Sequence, residues 1–191
     1  MSRELDSLPG QALALRALGG VQQLTGDYPA AVASSRQALG LSRDQHDRRE
    51  RAYALNELGL VQQLTGDYLA AAASHQQALA LNRDIGNRLG QAETLNCLGE
   101  LSSRTADGRQ ARDHHAQALV IARELGTPLQ EAHALEGIGH SHLRDGNPTQ
   151  AAACLQDALA ICQRIGNPAA RRVQETLLQL RQDNLARALE L

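Results

Sequence analysis

The eight residues Val21-Gln22-Gln23-Leu24-Thr25-Gly26-Asp27-Tyr28 recur unchanged as Val61-Gln62-Gln63-Leu64-Thr65-Gly66-Asp67-Tyr68, forty positions later. Self-similarity at a fixed period of roughly 20–50 residues marks a stacked-repeat architecture, in which no unit can bury its apolar face alone. A chain built this way works by presenting a surface.

Placed in register, the units run over 9–48, 49–88, 89–128 and 129–168, with 169–191 as a C-terminal cap or half-repeat. Leu18-Gly19, Leu58-Gly59, Leu98-Gly99 and Ile138-Gly139 occupy one equivalent pair, and Leu15, Leu55, Leu95 and Leu135 lie three positions earlier. Ala38-Leu39, Ala78-Leu79, Ala118-Leu119 and Ala158-Leu159 mark the second half of each unit. Apolar spacing of three to four within each half is a helix period. Thr25-Gly26-Asp27, Ala106-Asp107-Gly108 and Asp145-Gly146-Asn147-Pro148 interrupt the pattern in mid-unit, as short inter-helix turns do. Ile85-Gly86-Asn87, Leu125-Gly126-Thr127-Pro128 and Ile165-Gly166-Asn167-Pro168 end each unit with a helix-capping glycine and a fresh start. The prediction is an all-α fold of four helix hairpins plus a C-terminal helix. A glycine inside each first helix costs about 1 kcal/mol relative to alanine. Its recurrence predicts a neighbour crossing at close range, so Gly59→Leu is expected to overpack.

Arg3-Glu4-Leu5 matches Arg123-Glu124-Leu125, three whole periods of forty away. Residues 1–8 therefore read as the tail of a preceding repeat, and the chain as a segment of a longer protein. At the other end Val173, Leu177, Leu178, Leu180, Leu185 and Leu189 form a broad apolar face. It reads first as a terminal helix covering the fourth unit, and second as a helix lacking its partner, open to self-association.

Composition narrows the function. The 19 basic residues, all arginine, and 21 acidic ones leave a net charge of −2 with no basic patch, which argues against direct nucleic-acid binding. There is no Trp or Phe, and three tyrosines provide no base-stacking platform. No apolar run approaches the roughly 18 residues of a membrane span. Cys97, Cys154 and Cys162 are unevenly spaced, against a disulfide framework and toward a cytoplasmic setting. No phosphate loop, nucleophile elbow or dinucleotide fingerprint occurs, so neither an enzyme nor a cofactor is expected. His140 and His142 point about 200° apart on a helix, and His133 and His140 lie about 10 Å apart along it. Ligands for one zinc ion must converge to about 2 Å, so no metal site is expected.

Leu55, Leu58-Gly59, Gly66-Asp67-Tyr68, Ala71 and Ala78 resemble the tetratricopeptide repeat, with Leu in place of the usual Trp and a period of 40. The resemblance implies a right-handed α-α superhelix whose first helices line a concave groove for a protein or peptide partner. On that resemblance the groove positions are Leu13, Arg16, Gly20, Gln23 and Leu24, then Tyr53, Asn56, Leu60, Gln63 and Leu64. The third unit supplies Glu93, Asn96, Glu100, Ser103 and Arg104, and the fourth His133, Glu136, His140, Leu143 and Arg144. Asn56 and Asn96 are candidates to pair with a peptide backbone, because an amide both donates and accepts. The alternative is that they bond to the next helix. The Arg-only, long-period repeats with Leu-Asn-x-Leu-Gly also resemble the C-terminal arrays of the Streptomyces antibiotic regulatory protein family of actinobacterial transcription regulators. That implies a regulatory array that binds a partner or signal. Free adaptors and peptide-pheromone receptor arrays remain alternatives.

Overall fold

The structure is a computed structural model that describes residues 8–44, 47–105 and 108–189. Nine helices and no strand occur among the described residues. They are α1 (Leu8–Leu24), α2 (Tyr28–Asp44), α3 (Arg48–Leu64), α4 (Tyr68–Asp84), α5 (Arg88–Arg104), α6 (Gly108–Leu125), α7 (Pro128–Arg144), α8 (Pro148–Arg164) and α9 (Ala169–Leu189). The first eight begin every twenty residues, so the period of forty is a pair of helices joined by short connections. The predicted N-terminal tail and the Ala106-Asp107 turn lie outside the described residues.

The local chemistry sets these boundaries. Gly26, Gly66, Gly86, Gly126, Gly146 and Gly166 all have φ between 62° and 83°, the left-handed region that side chains resist. In that conformation Asp27 N–H reaches back to Gln22 O at 2.9 Å, and Asn87 N–H to Asn82 O at 2.9 Å, satisfying carbonyls at a helix end. The next helix starts at once. Asp47 accepts from Arg49 N–H at 3.0 Å and Glu50 N–H at 2.9 Å, and Asp67 from Ala70 N–H at 3.1 Å. Pro128 and Pro148 open α7 and α8, where a missing N–H costs nothing.

The chain forms two compact units, residues 1–101 and 102–191. In the first, α1 pairs with α2 and α3 with α4, and α2 packs on α3. Ala38, Leu39, Ala54, Leu55, Leu58 and Ala78 make its core, with Leu15, Val32 and Leu81 at the margin. Small alanines let the helices approach and the leucines fill the space between them. Each hairpin is also pinned by a polar bond twelve residues long: Ser34 Oγ donates to Gln22 Oε1 at 2.8 Å, and Ser74 Oγ to Gln62 Oε1 at 2.7 Å. Between α4 and α5, Asn87 Nδ2 donates to Asn82 Oδ1 at 2.9 Å and Gln91 Nε2 to Asn82 O at 3.2 Å, a buried polar latch.

In the second unit α7 pairs with α8, α6 packs on α7 and α9 on α8. Leu135, Leu155, Ala158, Val173 and Leu177 form the core. Helix α9 therefore covers the preceding hairpin with Val173, Leu177 and Leu180, while Leu178 and Leu185 face water. The positions at which α1, α3 and α7 place Ala, Leu and Gly toward their own second helix carry Arg172, Glu175 and Gln179 in α9, all exposed.

Candidate functional site

In the first unit predicted groove residues are tied across the repeat boundary. Arg16 Nη1 donates to both Glu50 carboxylate oxygens at 3.0 Å and its Nε to Glu57 Oε1 at 3.2 Å. Its guanidinium also sits 4.7 Å from the Tyr53 ring centroid. Burial pulls Arg16 down, but Glu57 and Glu50 carry it above its ordinary value. Burial pushes the Glu57 carboxyl up against the pull of Arg16, and does the same to Glu93. Removing the cation leaves two half-buried carboxylates facing each other. Arg16→Ala is expected to lower stability by about 1–2 kcal/mol, a value discounted for partial exposure. Arg16→Lys should restore only part, since a single ammonium cannot reproduce the guanidinium fork. Urea midpoints of the three proteins check this.

One period on, Asn56 makes the same kind of link. Its Nδ2 donates to Cys97 Sγ at 3.6 Å, and its Oδ1 lies 2.8 Å from His75 Nδ1. With the amide oriented this way, His75 Nδ1–H is the donor. Burial pushes His75 down to about 4, so the ring is neutral, and its buried Nε2 has no hydrogen-bond partner. Cys97, Asn56 and His75 are the residue types of a thiol protease, but the imidazole meets the amide rather than the sulfur. Burial, reinforced by Glu100, pushes the Cys97 thiol up to about 12, which leaves it protonated and unreactive. The cluster is a packing contact. Asn96 and Gln63 are buried, Tyr53, Leu60, Glu93 and Glu100 half-buried, and Leu13, Leu24 and Leu64 exposed. Gly20 and Gln23 are also half-buried.

In the second unit Glu136 is buried and accepts from Arg172 Nη2 at 2.9 Å, with His140 Nε2 at 3.7 Å. Burial pushes its carboxyl up, and His140 and Arg172 outweigh that to hold it below the usual range. Arg144 donates to Ser103 O at 2.8 Å and to Ser103 Oγ at 3.1 Å. His133, Arg104 and Arg144 are exposed, and His140, Leu143 and Ser103 half-buried. Beneath them His115 is buried with its ring against Gly137. Burial first, then the neighbouring His133, His114, His140 and Arg144, push it down to about 4. Among the described residues no group of three or more His, Cys, Asp or Glu side chains is placed to hold a metal ion. A shallow recess of about 340 Å³ lies elsewhere in this unit, floored by Leu135 and Ile161 and rimmed by Arg123, Glu131, Asp157 and Arg164. Arg123 and Glu131 pair across it at 2.9 Å.

Glu50, Glu57, His75, His115 and Arg172 were not among the sequence candidates. A signal for Glu57 was present: Arg16–Glu57, like Asn56–Cys97 and Ser103–Arg144, is 41 residues apart, one period plus one. Pairing residues at that offset finds side chains that meet across neighbouring first helices.

Paired helices stacked at a fixed period, with polar links between successive first helices, define an α-helical repeat protein. The family is the tetratricopeptide repeat, which matches residues 10–84 and 90–164, and the chain belongs to it. No curated protein matches the sequence. Among solved structures, a Rap protein complexed with Competence and Sporulation Factor is similar with TM-score 0.81 at 17% identity, over 94% of this chain and 51% of that one. Apo RapI gives 0.74 at 15% identity, over 98% and 53%. BtubC (BKLC) from P. vanneervenii gives 0.71 at 19%, over 84% and 66%. The chain thus spans about half to two thirds of the length of these structures.

Proposed function

We propose that this chain is a non-enzymatic protein-interaction module that takes a protein or peptide on the exposed side of its first helices. The observation that carries this reading is the set of inter-repeat links, Arg16 to Glu50 and Glu57, Asn56 to Cys97, and Arg144 to Ser103. They hold one side of successive first helices in place ahead of any partner, and a pre-formed surface lowers the ordering cost of binding. The Rap neighbour complexed with Competence and Sporulation Factor supports the same use of the fold. The buried amide of Asn96 belongs to the framework of the first unit's surface, whereas Leu13, Tyr53 and Leu60 are contact residues of that unit, and His133, His140 and Arg144 are contact residues of the second. On the Leu55-Asn56-Glu57-Leu58-Gly59 and Leu95-Asn96-Cys97-Leu98-Gly99 motifs, we place the module as the regulatory array of a larger bacterial transcription regulator.

Selection of random dodecapeptides on the intact chain tests the interaction. Selected peptides are expected to lose at least tenfold in affinity on Tyr53→Ala/Leu60→Ala or on His140→Ala/Arg144→Ala. Unchanged affinity in both variants would move the site off the first helices.

A further inference from the structure

The shallow recess of the second unit lies where three helices meet. Its rim takes Arg123 from the end of α6, Glu131 from the start of α7 and Arg164 from the end of α8, so α7 runs antiparallel to the other two. Leu135 and Ile161 make the floor, and Ala160 is exposed beside them. One charged pair on the rim is satisfied, Arg123 with Glu131 at 2.9 Å. The other two charges are not. Asp157 and Arg164 are exposed, and among the described residues neither has a hydrogen bond or an ion pair. They stand seven positions apart, which is two turns along the same face of α8 and about 10 Å along its axis. None of His133, His140 and Arg144 lines the recess, so this surface stands independently of the first-helix side.

The repeat does not ask for this pattern. At the same two positions the other second helices carry Gln37 and Asp44, Gln77 and Asp84, and Gln117 and Glu124. Among the second helices, α8 alone has an acid first and a base seven residues later. A helix so marked is complementary to a copy of itself. Laid antiparallel, each aspartate meets the other copy's arginine, and both pairs form together about a twofold axis between Ala160 and Ile161. A parallel copy would set aspartate against aspartate and arginine against arginine. The small side chain of Ala160 at the axis lets two helices approach closely, and the apolar floor beside it supplies surface to remove from water. We propose that α8 is a self-association surface: the recess of one chain receives α8 of a second copy, antiparallel, with Asp157 of each opposite Arg164 of the other.

Sedimentation velocity of the intact chain over a concentration series tests this, and is expected to show a monomer passing into a dimer. Asp157→Arg alone, or Arg164→Asp alone, puts like charges together twice in each dimer and should raise its dissociation constant at least about tenfold. Both side chains face water, so neither substitution should move Tm by more than about 2 °C. Asp44 and Asp84 show that a second helix accepts an aspartate where Arg164 stands. An equimolar mixture of the two variants should associate again, because one presents two cations and the other two anions. The double exchange Asp157→Arg/Arg164→Asp should do the same by itself. A chain that stays monomeric at every concentration overturns the proposal, and so do single variants that associate as tightly as the native chain or a mixture that does not recover. A dimer untouched by the charge reversals but dissociated by Leu178→Glu/Leu185→Glu would belong to α9 and overturns it equally.

Discussion

Gly59→Leu is expected to destabilise the first unit by about 3 kcal/mol or more, overpacking a well-filled helix contact. At 2–4 °C per kcal/mol for a chain of this size, Tm should fall by roughly 6–12 °C. The cause is specific. A methyl built on Gly59 would already lie 2.6–2.8 Å from three atoms of the His75 ring. That ring is fully buried, and Asn56 holds it at 2.8 Å, so it cannot swing aside. The consensus position alone does not dictate this cost. At the equivalent Gly19 the nearest atom is Ser35 Oγ at 3.5 Å, an ordinary contact. Gly19→Ala is therefore expected to be neutral or to gain up to about 1 kcal/mol of helix propensity. At Gly139 the obstruction is Leu155 Cγ at 2.8 Å. In all three pairs the residue that sets the available space lies sixteen positions on, in the second helix of the same hairpin.

Acidification is the second large effect. His75 and His115 are neutral when folded, each pushed down to about 4 by burial, against an ordinary value of 6.5 in the unfolded chain. The unfolded state then binds protons that the folded state refuses. Their contribution is complete above pH 6.5 and is lost progressively as pH falls from 6.5 toward 4. Refusing that proton corresponds to roughly 3 kcal/mol for each group at the lower end. The carboxylates act in both directions. Glu57 and Glu93, raised by burial, favour the folded chain as they protonate, while Glu136, held low, disfavours it. The histidines lower stability as pH falls from 6.5 toward 4, against the two raised carboxylates. Urea unfolding at half-unit pH steps should show this slope, and His75→Leu/His115→Leu should flatten it. Leu155 occupies the equivalent position of the fourth repeat, so leucine is a residue the hairpin accepts there. A slope unchanged in the double variant would assign the acid sensitivity to other groups.

The helices were legible because every signal for them is local or repeats at forty residues. Gly26, Gly66 and Gly86 mark chain reversals in sequence and have positive φ in the structure. Asp47 and Asp67 sit one residue ahead of a helix and cap it. The site was less legible, because its geometry depends on side chains meeting across a repeat boundary. Asn96 and Glu136 share the register of Asn56 and Arg16, yet Asn96 and Glu136 are buried while the other two keep part of their surface in water. Periodicity assigns a residue to a face of a helix; how far the neighbouring repeat closes over that face depends on the neighbour's side chains. Arg172 illustrates the point. It stands where the other first helices carry alanine, and its guanidinium reaches back 36 residues to Glu136.

The central claim is that equivalent positions differ in what they tolerate because of the residue sixteen positions on. A double-mutant cycle between Gly59→Ala and His75→Ser tests it most directly, since Ser35 shows that serine leaves ordinary contact distance to its glycine. By urea unfolding, Gly59→Ala should cost about 1–3 kcal/mol with His75 present. With His75→Ser it should cost nothing or gain up to about 1 kcal/mol from helix propensity. An equal cost in both backgrounds would contradict the account, because the constraint at Gly59 would then not come from the residue packed against it.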